Sequence, residues 1–288
     1  MTVTTSQQTH PTGAIPTDEW TVDRLDLDAY LARIGHDGPL DPTVDTLFAL
    51  HRAHALTIPF ENLDIILGRG VSLDLDALQD KMLRHQRGGY CFEHNLLFAA
   101  LLERAGFAVR RHLGRVLSAD PNHHQPRTHM TINVDAEGKT WHADVGFGTA
   151  LSEPIPLEDG IEVDQGGWTH GLTRHEDGAW VLRSLGPEGW SDRYIYTQER
   201  QHLVDYVAAN HYTATHPDSH FTRKPVAVRL TPEARYRLNG LELAIATPDG
   251  SDERREIAPN ELGAILRNPI GIDLNPDDTG RLAATLAT

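Results

Sequence analysis

The chain has 288 residues, 39% of them hydrophobic and 23% charged, with a formal net charge of −15; this is a globular mixture, long enough for one large domain or two to three small ones. The acidic balance disfavours a nucleic-acid or anionic-membrane surface, although a small site can still carry the local positive potential a phosphorylated ligand needs. No stretch is apolar for long enough to span a bilayer, the N-terminus lacks the pattern of a signal peptide, and a single cysteine argues against a disulfide scaffold, so a cytoplasmic protein is expected.

Up to about Thr17 the chain is rich in Thr, Gln and Pro, which predicts a mobile tail. Leu27, Tyr30, Leu31 and Ile34 repeat at helical spacing, and a turn at GHDGPLDPT separates them from a second run through Val44, Leu47, Phe48 and Leu50. That helix should stop near Pro59, ahead of IPFENLDI. LDALQDKMLRH predicts a third helix. Cys91 to about Ala105 predicts a fourth, apolar over most of its faces and therefore buried. After Gly106 short extended runs take over: FAVRRHLGRVL, THMTINV, KTWHADV, THGLTRHE, AWVLRSL and RYIYT, with DAEGK and HEDGA as hairpin turns. Gln198 to Asn210 reads as helix, followed by VAVRL, by YRLNGLELAIA folded at its Asn-Gly, and by a helix near Pro259 to Arg267. The expected architecture is α+β. It comprises a tail (residues 1–22), an N-terminal helical bundle (23–106), a central antiparallel β-barrel-like domain (107–210) and a C-terminal α/β lid (211–288).

Cys91 lies in RGGYCFEHN, where a glycine pair leads into a helix start with the thiol on its first turn. Unsatisfied N–H groups and the helix dipole favour an anion there, so such a thiol tends to ionise. A buried structural cysteine is the alternative. A thiolate nucleophile needs a base, and the base needs an orienting carboxylate. Alternation in RTHMTINV puts His129, Thr131 and Asn133 on one face, and in WHADVGFG His142 and Asp144 share a face. The turn at DAEGK joins the two strands antiparallel, which brings His129 close to Asp144 at the ends opposite the turn. Against this, most of the 17 histidines must be surface or packing residues, and an aspartate before Val-Gly-Phe-Gly is also suited to capping a turn. His123, His124, His129, His142 and Asp144 form a grouping that suggests zinc. It has neither paired ligands at structural spacing nor an HExxH helix, so no metal is expected.

Cys, His and Asp in this chain order, the thiol on a helix and the others on strands, match a papain-like core, although the protease signature around the nucleophile is absent. Five segments, IPFEN (58–62), RGGYCFEHN, Thr128-His129, DVGFG (144–148) and THPDSHF (215–221), resemble the arylamine N-acetyltransferases, and the likeness runs from about Leu25 to the C-terminus. The resemblance implies ping-pong transfer of an acetyl group from acetyl-CoA to aromatic amines or hydrazines, with Cys91 acetylated, His129 its base partner and Asp144 the orienting acid. It places Thr128, Phe147 and Gly148 near acetyl-CoA, and Phe60, Tyr90 and Phe147 at the acceptor pocket; core packing is the alternative for Phe60. A role in xenobiotic metabolism and a monomer or homodimer complete the expectation. An amide synthase of the same family, closing a macrolactam from a thioester-bound polyketide, uses the same triad and stays open. A cysteine hydrolase or transglutaminase-like enzyme and a non-catalytic binding protein are the readings from other classes.

Overall fold

In the computed structural model residues 19–118, 124–149 and 151–286 are described, so the expected tail up to residue 18 lies outside them. Glu19 and Trp20, assigned to that tail by the sequence, are docked: Glu19 accepts from Leu203 N–H at 3.1 Å and Trp20 meets Tyr206 edge-on. The first part is helical. Asp26 caps α1 (Leu27–Ile34) and Thr43 caps α2 (Val44–Thr57), each accepting a backbone N–H three residues on. IPFEN carries no periodicity; it becomes strand β1 (Phe60–Glu61) because Val226–Leu230 supplies an edge to pair with. Then come α3 (Leu63–Ile66), α4 (Leu75–Gln79), a π-helical turn over Asp80–Arg84, and α5 (Cys91–Arg104). Every residue of α5 from Cys91 to Leu102 is buried, as its all-round apolar character requires.

The middle of the chain is one antiparallel sheet. It contains β2 (Ala108–Val116), β3 (Arg127–Ala136), β4 (Lys139–Ala143), β5 (Ile155–Pro156), β6 (Ile161–Asp164), β7 (Thr169–Arg174), β8 (Trp180–Gly186) and β9 (Gly189–Tyr196). Their order, β5-β4-β3-β2-β9-β8-β7-β6, makes a nearly closed barrel. Glu137 and Gly138, at φ 49° and 76°, form the left-handed turn that suits the twist of a β3–β4 hairpin.

The helix expected over Gln198 to Asn210 is displaced along the chain. It begins where Asp205 accepts from His202 N–H at 2.8 Å and runs as α6 (Leu203–Thr215), so a boundary at 210 falls inside it. A second antiparallel sheet, β1-β10-β11-β12-β13, is built from β10 (Val226–Leu230), β11 (Arg235–Asn239), β12 (Glu242–Ala246) and β13 (Asp252–Glu256). The expected helix near Pro259 to Arg267 is divided into a 3₁₀ turn, α7 (Leu262–Ile265) and a π-helical turn over Leu266–Ile270 containing Pro269, which cannot donate a helix hydrogen bond. α8 (Pro276–Thr285) follows, capped by Asn275.

Among the described residues three apolar cores result. The largest joins α5 to Met130, Ile132 and Val134 on one face of β3. A second lies between the five-stranded sheet and α7–α8, and a third fills the barrel around Leu172, Leu182, Tyr194 and Tyr196. No helix among the described residues is long and apolar enough to cross a membrane.

Candidate active site

The β3–β4 register pairs Ile132 with Ala143 and Asn133 with His142. Period-two alternation then sends His129 and Asp144 into the same space at the open end of the hairpin. His129 Nε2 donates to Asp144 Oδ2 at 2.7 Å, with both side chains buried. Cys91 lines the same cavity as His129, and its sulfur lies close enough to favour the imidazolium form. The Cys91 Sγ also lies 3.5 Å from the Thr128 carbonyl oxygen. Helix start and strand ends thus meet at one point.

Electrostatics fix the charge states of the pair behind the thiol. Burial opposes a charge on His129, but Asp144 and then Cys91 outweigh it and hold the imidazolium form up to about 10. Burial likewise opposes the Asp144 carboxylate, yet His129, Tyr194 and Asn95 keep it well below the usual carboxylate range. Among the described residues four donors reach that carboxylate. His129 and the Tyr194 hydroxyl (2.6 Å) donate to Oδ2, while Asn95 Nδ2 (2.9 Å) and Gly146 N–H (2.9 Å) donate to Oδ1. His142 takes no part with the thiol. Its Nε2 donates to the Tyr194 hydroxyl oxygen at 2.7 Å, and burial keeps it neutral, down to about 3.

The nucleophile's loop is held from below by buried charges. Lys81 Nζ lies 2.8 Å from Glu93, 2.9 Å from Asp64 and 3.9 Å from Glu61. Arg87 pairs with Glu61 at 2.7 Å. Glu93 reaches back to accept from Tyr90 N–H at 2.9 Å, which fixes the first turn of α5. Asn62, the last residue of IPFEN, binds the other side. It donates to the Phe221 and Lys224 carbonyls and accepts from Val226 N–H at 2.7 Å, which locks β1 to the C-terminal sheet. A second buried chain has Tyr30 donating to His54, His54 Nε2 donating to His94 Nδ1 at 2.8 Å, and His94 Nε2 donating to the Pro59 carbonyl at 3.2 Å.

A cavity of about 410 Å³ opens onto Cys91, and its lining includes Phe60, Thr128, His129, Phe147 and Phe221. The Phe147 ring meets His129 edge-on, with centroids 5.1 Å apart, and Phe60 packs 5.8 Å from Phe221. Gly148 stands behind Phe60 at φ 82°, where a Cβ would come within 3.1 Å of that ring. Tyr90 departs from expectation. Its ring is fully buried and its hydroxyl donates to Asn210, so it does not line the cavity. Its backbone serves the site, as the residue before the nucleophile. Of the zinc-like grouping, His123 lies outside the described residues, His124 is exposed, and no cluster of three or more metal-ligating side chains occurs among the described residues. Asn95, Tyr194 and Phe221 are functional neighbours that the sequence left without a role. Asn95 and Phe221 do lie inside quoted motifs, and RYIYT puts Tyr194 and Tyr196 on one face.

A family model described as N-acetyltransferase matches residues 43–279. The arylamine N-acetyltransferase of Mycolicibacterium smegmatis is 38% identical over 275 residues, covering 92% of this chain and 99% of the relative. The fold superimposes on the crystal structure of the Nocardia farcinica arylamine N-acetyltransferase with a TM-score of 0.89 at 40% identity, over 95% of this chain and 99% of that one. It is also similar to the Mycobacterium marinum arylamine N-acetyltransferase in complex with CoA, at a TM-score of 0.85 and 34% identity, over 91% and 98% of the two chains.

Proposed function

The chain belongs to the arylamine N-acetyltransferase family, and from that premise we propose that Cys91 carries the acetyl group between two substrates, with His129 as its proton partner and Asp144 as the orienting acid. The observation that carries this assignment is the buried His129–Asp144 contact at 2.7 Å, with Cys91 and His129 lining one cavity. The overall reaction moves acetyl from acetyl-CoA to the nitrogen of an arylamine or arylhydrazine.

In the first half, the Cys91 thiolate attacks the thioester carbonyl, and the N–H groups opening α5 face the developing oxyanion. The C–S bond to CoA breaks, and the departing thiolate takes the His129 proton. In the second half, the amine nitrogen attacks acetyl-Cys91 and His129 removes its proton. The Cys91 thiolate leaves, and the imidazolium–thiolate pair is restored. Asp144 stays ionised throughout and holds the His129 ring. Thr128 and Phe147 border the donor, with Gly148 set behind the Phe60 ring, and Phe60 and Phe147 border the acceptor. The apolar walls and the thiol at the base of the cavity suit a flat amine of low basicity, neutral at pH 7. The same reading puts the enzyme in the cytoplasm, where a lone catalytic thiol stays reduced, as a monomer or homodimer.

The test is to incubate the protein with acetyl-CoA alone, quench in acid and weigh the intact chain and its peptides. An acetyl group on Cys91, discharged by 4-aminosalicylate or by a hydrazine, is expected. A reactive thiol that takes no acetyl group would instead point to a larger acyl donor.

A further inference from the structure

After β4 the chain leaves the barrel at Asp144 and rejoins it at β5. On the way Gly146, Phe147 and Thr149 line the cavity that opens onto Cys91. A connection of this kind has no strand ladder of its own, so side chains from other elements must set its course. Its near end is held from α5, where Asn95 accepts from Val145 N–H at 3.2 Å. Its far end is held by Gln165, whose Oε1 accepts from the Ser152 and Glu153 N–H groups at 2.9 and 3.2 Å. Arg52 of α2 adds an ion pair to Glu153 at 2.7 Å.

His51 bridges the two ends. On α2 the spacing of Leu47, Leu50, His51 and His54 turns all four inward. His51 is fully buried there, its ring edge-on to Phe98 of α5 with centroids 5.6 Å apart. His51 Nε2 accepts from Asp144 N–H at 3.2 Å, and His51 Nδ1 donates to the Ser152 carbonyl oxygen at 3.1 Å. A backbone N–H only donates and a carbonyl oxygen only accepts, so these two partners together admit one state of the ring, neutral with its proton on Nδ1. Burial agrees with that state. It opposes a charge on the ring and outweighs the Ser152 carbonyl and Asp144, which leaves His51 neutral down to about 4.

We propose that His51 is a positioning residue for acetyl transfer: its Nδ1–H imidazole ties Asp144 to Ser152, and so fixes the Asp144 backbone behind His129 and the Phe147 ring beside Cys91. The assignment rests on the acetyl-transfer reading above. His51 does not line the cavity, so it acts through Asp144 and Phe147 and not on the substrates. Without the ring, the buried Asp144 N–H loses this acceptor and Ser152 loses its tie to α2. A small displacement of Asp144 or Phe147 is then felt at the sulfur, because reacting groups tolerate little misplacement.

The test compares His51→Leu, which removes both bonds, with His51→Gln, which keeps a donor and an acceptor on one planar group. In His51→Leu, labelling of Cys91 by iodoacetamide at pH 6 and single-turnover acetylation should each slow by about tenfold, and KM for 4-aminosalicylate should rise. His51→Gln should recover most of both rates. A purely structural role would reduce the amount of folded enzyme, lowering kcat while KM and the labelling rate of the folded fraction stay at wild-type values. That result overturns the proposal, and so does a Gln variant as slow as the Leu variant. If His51→Leu does not fold, the wild-type protein decides. Long-range proton–nitrogen NMR spectra should place the His51 proton on Nδ1, and a proton on Nε2 overturns the proposal. A wild-type protein that labels rapidly yet takes no acetyl group from acetyl-CoA would overturn the acetyl-transfer reading, with the labelling and NMR results still judging His51 separately.

Discussion

Asn95 stands one helical turn beyond Cys91, and its side-chain amide donates to Asp144 Oδ1 at 2.9 Å. The same side chain donates to the Met130 carbonyl at 2.7 Å and accepts from Val145 N–H at 3.2 Å. One residue therefore sets the helix that carries the thiol against both strands that carry its partners. Replacing Asn95 by Ala removes a hydrogen bond to a buried charge, and the rate of Cys91 acetylation should fall by about tenfold to a hundredfold. Single-turnover acetylation followed by mass spectrometry measures it; a wild-type rate would mean that the Asn95–Asp144 contact does not position the site.

Asp144→Asn keeps the shape of the carboxylate and removes its charge, which is the main support of the His129 imidazolium against burial. Iodoacetamide should label wild-type Cys91 at pH 6 much faster than a free thiol, and the variant should lose that advantage. If the pH profile of alkylation is the same in both proteins, Asp144 has no orienting role.

The buried histidines predict a pH dependence of stability. Burial pushes His51 and His94 down to about 4 and His142 to about 3, against an ordinary value of 6.5. Between pH 6.5 and 4 the unfolded chain binds more protons than the folded one, so this stability is full above 6.5 and is lost as pH falls. His129 behaves oppositely. Held up to about 10, it contributes stability that is full below 6.5 and is lost as pH rises through about 10. Urea midpoints measured across pH 4–11 should fall at both ends, and a flat acid limb would contradict the neutral buried histidines.

Lys81→Met should be strongly destabilising. It strips the shared cation from Glu93, Asp64 and Glu61, all buried or nearly so, and breaking a buried pair from one side costs about 3–5 kcal/mol. Chemical denaturation gives the number. A variant as stable as wild type would show that Arg87 alone balances these carboxylates.

Gly146 crosses directly over the nucleophile: a Cβ there would lie 2.6 Å from Asn95 Nδ2, 2.8 Å from Cys91 O and 2.9 Å from Cys91 Cα. Gly146→Ala should cost about 1–3 kcal/mol and slow acetylation. Gly280→Ala, on α8 with open space around it, should instead raise stability by about 0.5–1 kcal/mol. Calorimetry on the two variants should show shifts of opposite sign, and a tolerated Gly146→Ala would show that the loop yields.

The legible parts of the chain were those whose cause is local. α5 announces itself by its apolar faces, and the alternation of RTHMTINV and WHADVGFG across a two-residue turn brings His129 to Asp144. β13 was hidden because Asp252–Glu256 is an exposed edge strand, charged at every position, with no alternation to read. α8 was hidden because few of its residues are apolar, even though Asn275 and Pro276 are a start signal. Arg237 was beyond reach for a different reason: it lines the cavity from a separate sheet, and nothing local in YRLNG shows that β11 meets the site of Cys91. Tyr90 shows the opposite hazard, since a place next to the nucleophile in sequence put its ring against Asn210 and away from the cavity.

The cavity that opens onto Cys91, about 410 Å³ in volume, has a kinetic consequence. Donor and acceptor must approach the same sulfur through it, and neither can react while the other occupies the space beside that atom. Each substrate is therefore a dead-end competitor for the enzyme form that should receive the other. Raising the amine at fixed acetyl-CoA should first speed turnover and then depress it, and more donor should relieve the depression.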